Sequence, residues 1–290
     1  MAKRIFLFLL TNIAVVATIS VVLSVLGVRP GDGLGPTAIF CFIWGMGGAF
    51  ISLAISRWMA KRAMGVQLVD GNTGNADADW LYRTVAKLAQ QAQLPMPEVG
   101  IYQSPEVNAF ATGPSRNRSL VAVSSGILQA MRKNELEAVL GHEMSHVANG
   151  DMVTMTLLQG IMNSFVMFAA RVIASVVTSN SRDERGSSGL YFIVRFACEI
   201  VLGILGSMIT AWFSRYREFR ADAGGAHLAG SENMVAALQR LAEGTQVVDN
   251  RAPALASFKI SGGGAGFMRL FSTHPPLEVR IQALRHGSSN

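Results

Sequence analysis

The sequence predicts a membrane protein of the α+β class. It has an N-terminal transmembrane hairpin and a mainly helical domain with a small sheet, which a second apolar helical hairpin interrupts. Half of the 290 residues are apolar and only 15% are charged, whereas globular chains have about 25% charged residues. The apolar residues also concentrate in four long runs, which come in two pairs. Disordered chains lack such runs, and collagens and coiled coils require a period that this sequence does not have.

An excess of basic residues accompanies the apolar character. Lys and Arg total 25 against 19 Asp and Glu, a formal net charge of +6. A basic chain is attracted to nucleic acid or to an anionic membrane surface, and the apolar content favours the membrane. We therefore expect contact with the lipid bilayer and no nucleic-acid partner. Both cysteines, Cys41 and Cys198, lie in apolar runs, which predicts burial and not a disulfide framework.

Residues 1–56 are predicted to form the first hairpin. The runs 5–27 and 37–56 contain no charged residue, and each is long enough to cross a hydrocarbon core about 30 Å thick. The connection between them is rich in Gly and Pro, which is typical of a tight turn. A secretory signal peptide is the alternative, but the first run is too long for one and no A-x-A cleavage pattern follows it.

The orientation of this hairpin follows from its flanking charges. Basic residues stand on both sides of it: Lys3, Arg4, Arg57, Lys61 and Arg62. The connecting loop carries a single arginine, offset by an aspartate. Because basic residues are retained on the cytoplasmic side, both ends of the hairpin are expected in the cytoplasm.

Residues 152–213 are predicted to form the second hairpin. Its runs 152–177 and 190–213 are joined by a polar linker and are long enough to span, but they contain charged residues. Charges within a bilayer are costly. Arg195 and Glu199 are four residues apart, so that they can pair on one helical face, and this favours spanning. The alternative is a hairpin that packs partly on protein or lies at the membrane interface.

The remaining segments, 57–151 and 214–290, lie on one side of the membrane if the second hairpin crosses twice. Together they are long enough for one domain. Hydrophobic periodicity and turn residues predict its elements. These are a helix over 77–92, strands over 98–103, 107–112 and 120–124, a helix from Asn134 to Gly150 that opens with a capping box to Glu137, and helices over 214–222 and 232–243.

The helix that opens at Asn134 contains the motif His142-Glu143-Met144-Ser145-His146. Two histidines four residues apart share one helical face, so both imidazoles can bind the same metal ion. Glu143 is rotated away from that face and is placed to act as a base. A solvated polar face is the alternative, but the surrounding residues are apolar. Half-buried polar groups need partners, and a metal ion provides them.

A catalytic zinc needs a third protein ligand and an open position. The segment 214–222 supplies Glu218, with Asp222 four residues later to orient a ligand imidazole. Glu218 is alternatively an ion-pair partner of the neighbouring arginines. Glu232 and Glu243 are weaker candidates for the third ligand.

His274 is held between Thr273 and two prolines, away from the histidine motif. It is a candidate donor to the oxyanion that forms during hydrolysis, although an isolated histidine is more often structural. Alternative donors are Arg215, Tyr216 and Arg217. No pattern supports a role for the two remaining histidines, His227 and His286.

The chain as a whole resembles the HtpX family, the bacterial heat-shock membrane zinc metalloproteases related to the CAAX prenyl protease. The residues that carry the resemblance are 6–12, 108–113, 141–151, 214–222 and 273–276. The resemblance implies a zincin-like endopeptidase in the bacterial inner membrane that faces the cytoplasm and degrades misfolded or damaged membrane proteins under stress.

The resemblance also implies roles for individual residues. His142, His146 and Glu218 would bind one zinc ion per chain, and Glu143 would be the base. The strand bearing Asn108 would be a sheet edge that pairs with the substrate backbone; otherwise it is an ordinary core strand. The oligomeric state, the regulators and the cleavage preference do not follow from the sequence.

Two other functions compete with this one. A membrane scaffold or regulator would use the metal structurally, but it has no need of a base at Glu143. A metal transporter would place its ligands inside the spans, where the sequence has no histidine.

Overall fold

The computed structural model describes residues 33–179, 184–244 and 270–287. The predicted first span, 5–27, lies outside the described residues. The described elements are α1 (Leu34–Met64), β1 (Gln67–Val69), α2 (Ala76–Gln91), β2 (Glu98–Tyr102), β3 (Ala109–Ser115), β4 (Arg118–Ser124), α3 (Ser125–Ala130), α4 (Lys133–Asn149), α5 (Asp151–Thr178), α6 (Glu184–Ala229), α7 (Ser231–Gly244) and α8 (Leu277–Gly287). They divide into two compact units, Met1–Ser52 with Met155–Thr210, and Leu53–Thr154 with Ala211–Asn290.

Within the described ranges, three helices are long and apolar enough to cross a membrane: α1, α5 and α6 from Gly189 onward. They contain the predicted runs 37–56, 152–177 and 190–213, so three of the four predicted spans are helical. The predicted linker 178–189 is shorter than expected, because α6 already begins at Glu184. With the small sheet described below, this confirms the predicted fold class.

Within the first unit, small residues let α1 and α5 approach closely. A Cβ atom added to Gly45 would lie 2.3 Å from Oγ of Ser164, and one added to Gly160 would lie 2.7 Å from Sδ of Met46. Helices in lipid gain stability from such close van der Waals contact, since no hydrophobic force drives them together. The crossing therefore depends on glycine at both positions.

The predicted charge pair of α6 forms in the first unit and includes a second arginine. Arg195 Nε donates to Glu199 Oε1 at 2.9 Å, and Nη1 of Arg171 lies 3.5 Å from the same oxygen. The Arg171 guanidinium also lies over the Phe40 ring, 5.4 Å from its centre. The Glu199 carboxylate thus pairs with two guanidinium groups in an apolar environment.

This arrangement predicts unequal effects of removing its members. Arg195→Leu leaves Arg171 paired with Glu199, whereas Glu199→Leu leaves two arginines without that carboxylate. We expect Glu199→Leu to destabilise the detergent-purified protein by about 2–3 kcal/mol and Arg195→Leu to have a smaller effect. Thermal unfolding of both variants measures this difference. An equal or larger loss in Arg195→Leu would refute the shared-carboxylate interpretation.

The second unit is built on a four-stranded mixed sheet with strand order β1-β2-β4-β3. The β2–β4 pair is parallel and the other two pairs are antiparallel. Apolar residues of α2, α4 and α7 form one core with the sheet, among them Leu81, Val85, Leu140 and Leu238. Among the described strands, β3 lies at an edge of this sheet, as expected for the strand next to Asn108.

Two details of the predicted elements are wrong. The second predicted strand was 107–112, but β3 runs from Ala109 to Ser115, and the predicted loop shrinks to a turn before Arg118. The predicted capping box at Asn134 is displaced by two residues: Glu135 Oε2 accepts from the backbone N–H of Arg132 at 2.9 Å. The Asn134 side chain instead donates to Asn233 at 2.9 Å, a contact with α7 that local spacing does not reveal.

Candidate metal centre

The histidine motif lies in the C-terminal half of α4, in the second unit. The Nε2 atoms of His142 and His146 are 3.2 Å apart. Oε1 of Glu218, from α6, lies 3.2 Å from Nε2 of His146, and its Oε2 lies 3.5 Å from Nε2 of His142. One ligand atom of each residue falls within 4.8 Å of the others. Among the described residues, the sequence alternatives Glu232 and Glu243 do not belong to this group.

Glycines allow α6 to bring Glu218 close to α4. A Cβ atom added to Gly225 would lie 2.9 Å from the backbone nitrogen of His142, and one added to Gly224 would lie 2.3 Å from Ser145 Oγ. Gly141 faces the backbone of Gly225 in the same way, at 3.3 Å. The two helices therefore touch nearly backbone to backbone, which no larger residue permits.

Each imidazole of the motif is oriented by a carboxylate behind it. Nδ1 of His142 lies 3.0 Å from Oδ1 of Asp222, and Nδ1 of His146 lies 2.7 Å from Oδ2 of Asp151. A proton on each Nδ1 leaves each Nε2 lone pair free to bind a metal ion. The structure thus places Asp222 as expected from its spacing. Sequence reasoning missed Asp151, although its position directly after Gly150, at the end of α4, was a usable signal.

Arginines stand behind these carboxylates, and sequence reasoning missed this arrangement. Arg280, from α8, donates from Nε to Asp222 Oδ2 at 2.7 Å, and its side chain is wholly buried. Arg217 lies more loosely beside Asp151, with Nη1 3.8 Å from Oδ2. Arg215 donates to the carbonyls of Leu270 and Ser272, which precede His274.

Glu143 is buried next to the histidines, and its carboxylate accepts a backbone hydrogen bond from Ala111 of β3. Burial raises the pKa of the Glu143 carboxyl above its ordinary value, although the two neighbouring histidines act in the opposite direction. A raised pKa is suitable for a carboxylate that must accept a proton near neutral pH and release it again. The burial, position and raised pKa of Glu143 are thus properties that a base would require.

The carboxylates around the motif favour positive charge at its centre. Burial lowers the pKa of the His146 imidazole, but hydrogen bonds to Asp151 and Glu218 outweigh burial and raise that pKa to about 10. The pKa of His142 is raised in the same manner by Asp222 and Glu218, against the effect of burial. The same carboxylates attract a metal cation to the space that the three ligand atoms surround.

Two further residues, His274 and Asn108, were predicted at the site. His274 contacts Glu218, with Nδ1 2.8 Å from Oε2, and in the described part of the chain its buried Nε2 has no hydrogen-bond partner. Asn108 is buried directly before β3, and its carbonyl accepts from the N–H of Ser124 at 2.9 Å. Of the alternatives to His274, Tyr216 is largely exposed.

The donor set fits a zinc ion. Two imidazole nitrogens and one carboxylate oxygen are ligands that catalytic zinc sites use, and three protein ligands leave a position open. Both imidazoles have their second nitrogen bonded to a carboxylate, which is the usual support of such ligands. His142, His146 and Glu218 would hold the ion.

A centre of this kind beside a buried glutamate, in a chain with membrane-crossing helices, defines a membrane metalloprotease. The model of peptidase family M48 matches residues 75–288. Protease HtpX of Shewanella loihica is 54% identical over 98% of this chain and 99% of its own length. The Protease HtpX homolog of Thiobacillus denitrificans is 53% identical over 98% and 99%. The chain therefore belongs to peptidase family M48, and the resemblance to the HtpX family is confirmed.

The fold has a neighbour among solved structures. The crystal structure of Ste24p from S. mikatae aligns with a TM-score of 0.63 at 18% identity and covers 98% of this chain and 67% of that chain. At this level of identity, the likeness extends to the fold alone.

Proposed function

We propose that the protein is a zinc-dependent endopeptidase of the bacterial inner membrane, with one zinc ion per chain. Its catalytic domain, residues 57–151 and 214–290, would face the cytoplasm and cleave misfolded or damaged membrane proteins under stress. The observation that carries the proposal is the convergence of His142, His146 and Glu218, with the buried Glu143 beside them.

The protein's own groups divide the work of hydrolysis. A zinc ion held by His142, His146 and Glu218 would supply Lewis acidity that acidifies water and polarises a carbonyl. Glu143 takes a proton from the attacking water and passes it to the amide nitrogen as the C–N bond breaks. The water oxygen remains on the carbonyl carbon as part of the new carboxylate. His274 is the candidate donor to the developing oxyanion: with a proton on both ring nitrogens, it would donate from Nε2 to the oxyanion and from Nδ1 to Glu218.

The free edge of β3 is the proposed place for the substrate backbone. The carbonyl of Asn108 points toward β4, where it accepts from Ser124. Since backbone groups alternate along a strand, those of Ala109 and Ala111 point to the open edge. The N–H of Ala111 donates to the Glu143 carboxylate, which is consistent with this direction. An extended peptide added there would run past the base.

Asn108 is expected to position the substrate at the start of that edge. We predict that Asn108→Ala raises KM for a peptide substrate by about 10-fold, the loss of one or two hydrogen bonds, with a smaller change in kcat. Steady-state kinetics on a fluorogenic peptide measure the two constants separately. A fall in kcat alone would place Asn108 in the chemistry and not in substrate binding.

A non-catalytic membrane scaffold with a structural metal is the second candidate. It is favoured by the many hydrogen bonds that rigidify the centre. The buried Glu143 argues against it, because a structural metal site has no need of a carboxylate that can act as a base. Absence of turnover in a zinc-loaded protein would favour the scaffold.

Casein cleavage by the detergent-purified full chain tests the proposal. We expect fragments whose new ends lie inside the casein sequence, as mass spectrometry of the products reports, and loss of cleavage after treatment with a chelator. Release of single terminal residues would mean that the protein is an exopeptidase and not an endopeptidase. Cleavage that persists after chelation would exclude a metal-dependent reaction.

A second experiment tests on which side of the membrane the protein cleaves and whether it cleaves membrane proteins. The protein is reconstituted into vesicles with a membrane protein that has one unfolded loop on each side. We expect cuts in the loop on the side of the catalytic domain, which limited proteolysis of intact vesicles identifies. Equal cutting of both loops would contradict a site restricted to one side of the membrane.

A further inference from the structure

Arg280 is a buried cation whose guanidinium contacts three residues of the metal centre, Asp222, Glu218 and His142. Its side chain is 0% exposed, which is rare for an arginine. Nε donates to Oδ2 of Asp222 at 2.7 Å, and Nη2 donates to Oδ1 at 2.5 Å. A guanidinium that grips both oxygens of a carboxylate fixes the plane of that carboxylate as well as its position. Arg280 therefore determines how Asp222 is oriented.

The orientation of Asp222 in turn decides the orientation of a proposed metal ligand. Oδ1 of Asp222 lies 3.0 Å from Nδ1 of His142, so the bond that holds the imidazole ring uses an oxygen already fixed by Arg280. Without the guanidinium, Asp222 would be a buried carboxylate whose remaining strong partner is the imidazole. It could then turn within its space and take the His142 ring with it.

The same guanidinium also touches the third ligand. Nη1 of Arg280 lies 3.4 Å from Oε2 of Glu218, and this buried nitrogen has no hydrogen-bond partner among the described residues. His274 approaches the same oxygen from the same C-terminal part of the chain. Arg280 thus lies between two carboxylates of α6, one a ligand and the other the support of a ligand.

The other histidine has a similar but weaker support, which provides a comparison within the molecule. Asp151 holds Nδ1 of His146 at 2.7 Å. Nη1 of Arg217 is 3.8 Å from the Asp151 carboxylate and donates at 3.4 Å to its backbone carbonyl. At 3.8 Å Arg217 is too far from the Asp151 carboxylate for a hydrogen bond, so Arg217 restrains Asp151 much less than Arg280 restrains Asp222.

We propose that Arg280 is a positioning residue of the metal centre, which holds His142 in its metal-binding orientation through Asp222. The inference rests on the proposed zinc site. It adds that the C-terminal helix α8, although it supplies no ligand, is required for tight metal binding.

Zinc affinities of the full-length protein in detergent test this role, measured by competition with a chromophoric chelator. We expect Arg280→Met and Asp222→Asn each to weaken zinc binding by about 10- to 100-fold, the usual effect of losing such support. The double variant should lose less than the product of the two single losses, because both changes remove the link from Arg280 through Asp222 to His142. Arg217→Met removes the looser of the two supports and should weaken zinc binding less than Arg280→Met does.

Cobalt substitution gives a readout that loss of stability does not imitate. The visible absorption of bound Co²⁺ depends on ligand geometry, and we expect it to change in Arg280→Met and to persist in Arg217→Met. Thermal unfolding of each metal-stripped variant reports whether it folds. If Arg280→Met does not fold, Arg280→Lys keeps the buried charge but not the two-point grip, and it should still weaken zinc binding by about 10-fold.

Several outcomes would overturn the inference. Wild-type zinc affinity in folded Arg280→Met or in Arg280→Lys would do so, as would a double variant whose loss equals the product of the single losses. Failure of the wild type itself to bind zinc would instead remove the proposed function. The two failures are therefore distinguishable in one series of titrations.

Discussion

Replacing Glu143 with glutamine is expected to lower the rate of casein cleavage by about 10²- to 10⁴-fold while zinc remains bound. Glutamine has the shape of glutamate and can still accept the hydrogen bond from Ala111, but it cannot take a proton from water. Cleavage rate and zinc content, measured on the same preparation, test both parts of this expectation.

Glu137 offers a matched control for that substitution. It lies on the same helix and pairs with Lys87 at 2.8 Å, away from the metal centre. Glu137→Gln should retain full activity and zinc. Equal activity in Glu143→Gln and the wild type would mean that Glu143 is not the base, or that a contaminating protease cuts the casein.

Removing the carboxylate of Glu218 is expected to weaken zinc binding by more than about 10²-fold, since loss of a ligand exceeds the 10- to 100-fold effect of losing its support. Glu218→Ala deletes one of the three proposed ligand atoms and also removes the carboxylate that both His274 and Arg280 contact. Zinc affinity and activity should therefore fall together.

Glu232→Ala is the control for this change, because spacing alone also allowed Glu232 as a ligand. It should leave zinc affinity unchanged. Retained affinity in Glu218→Ala, with loss in Glu232→Ala, would mean that a different carboxylate completes the site.

Features that depend on neighbours in sequence were predictable. The apolar runs that became α1, α5 and α6 needed only length and composition, and the pairing of Arg195 with Glu199 needed only the helical period. His142 and His146 share a helical face for the same reason. The edge position of the strand beside Asn108 came from the family resemblance and agrees with the observed sheet order.

Features that depend on packing between residues far apart in the sequence could not be predicted in the same way. Arg280 lies 58 residues from Asp222 along the chain, and nothing local distinguishes it from other arginines. β1 has only three residues, too few to show an alternating pattern. Glu218 itself was selected from the segment 214–222 and from the family resemblance, but how closely it approaches both histidines depends on the packing of α6 against α4, which glycines in both helices allow.

Titration of zinc into the metal-stripped, full-length protein, followed by casein cleavage, tests the proposed chemistry most directly. Activity should rise with added zinc and stop rising at one zinc per chain. Glu143→Gln, titrated alongside, should bind the same amount of zinc without cleaving. Cleavage that needs no zinc, or that Glu143→Gln shares, would contradict a zinc endopeptidase with Glu143 as its base.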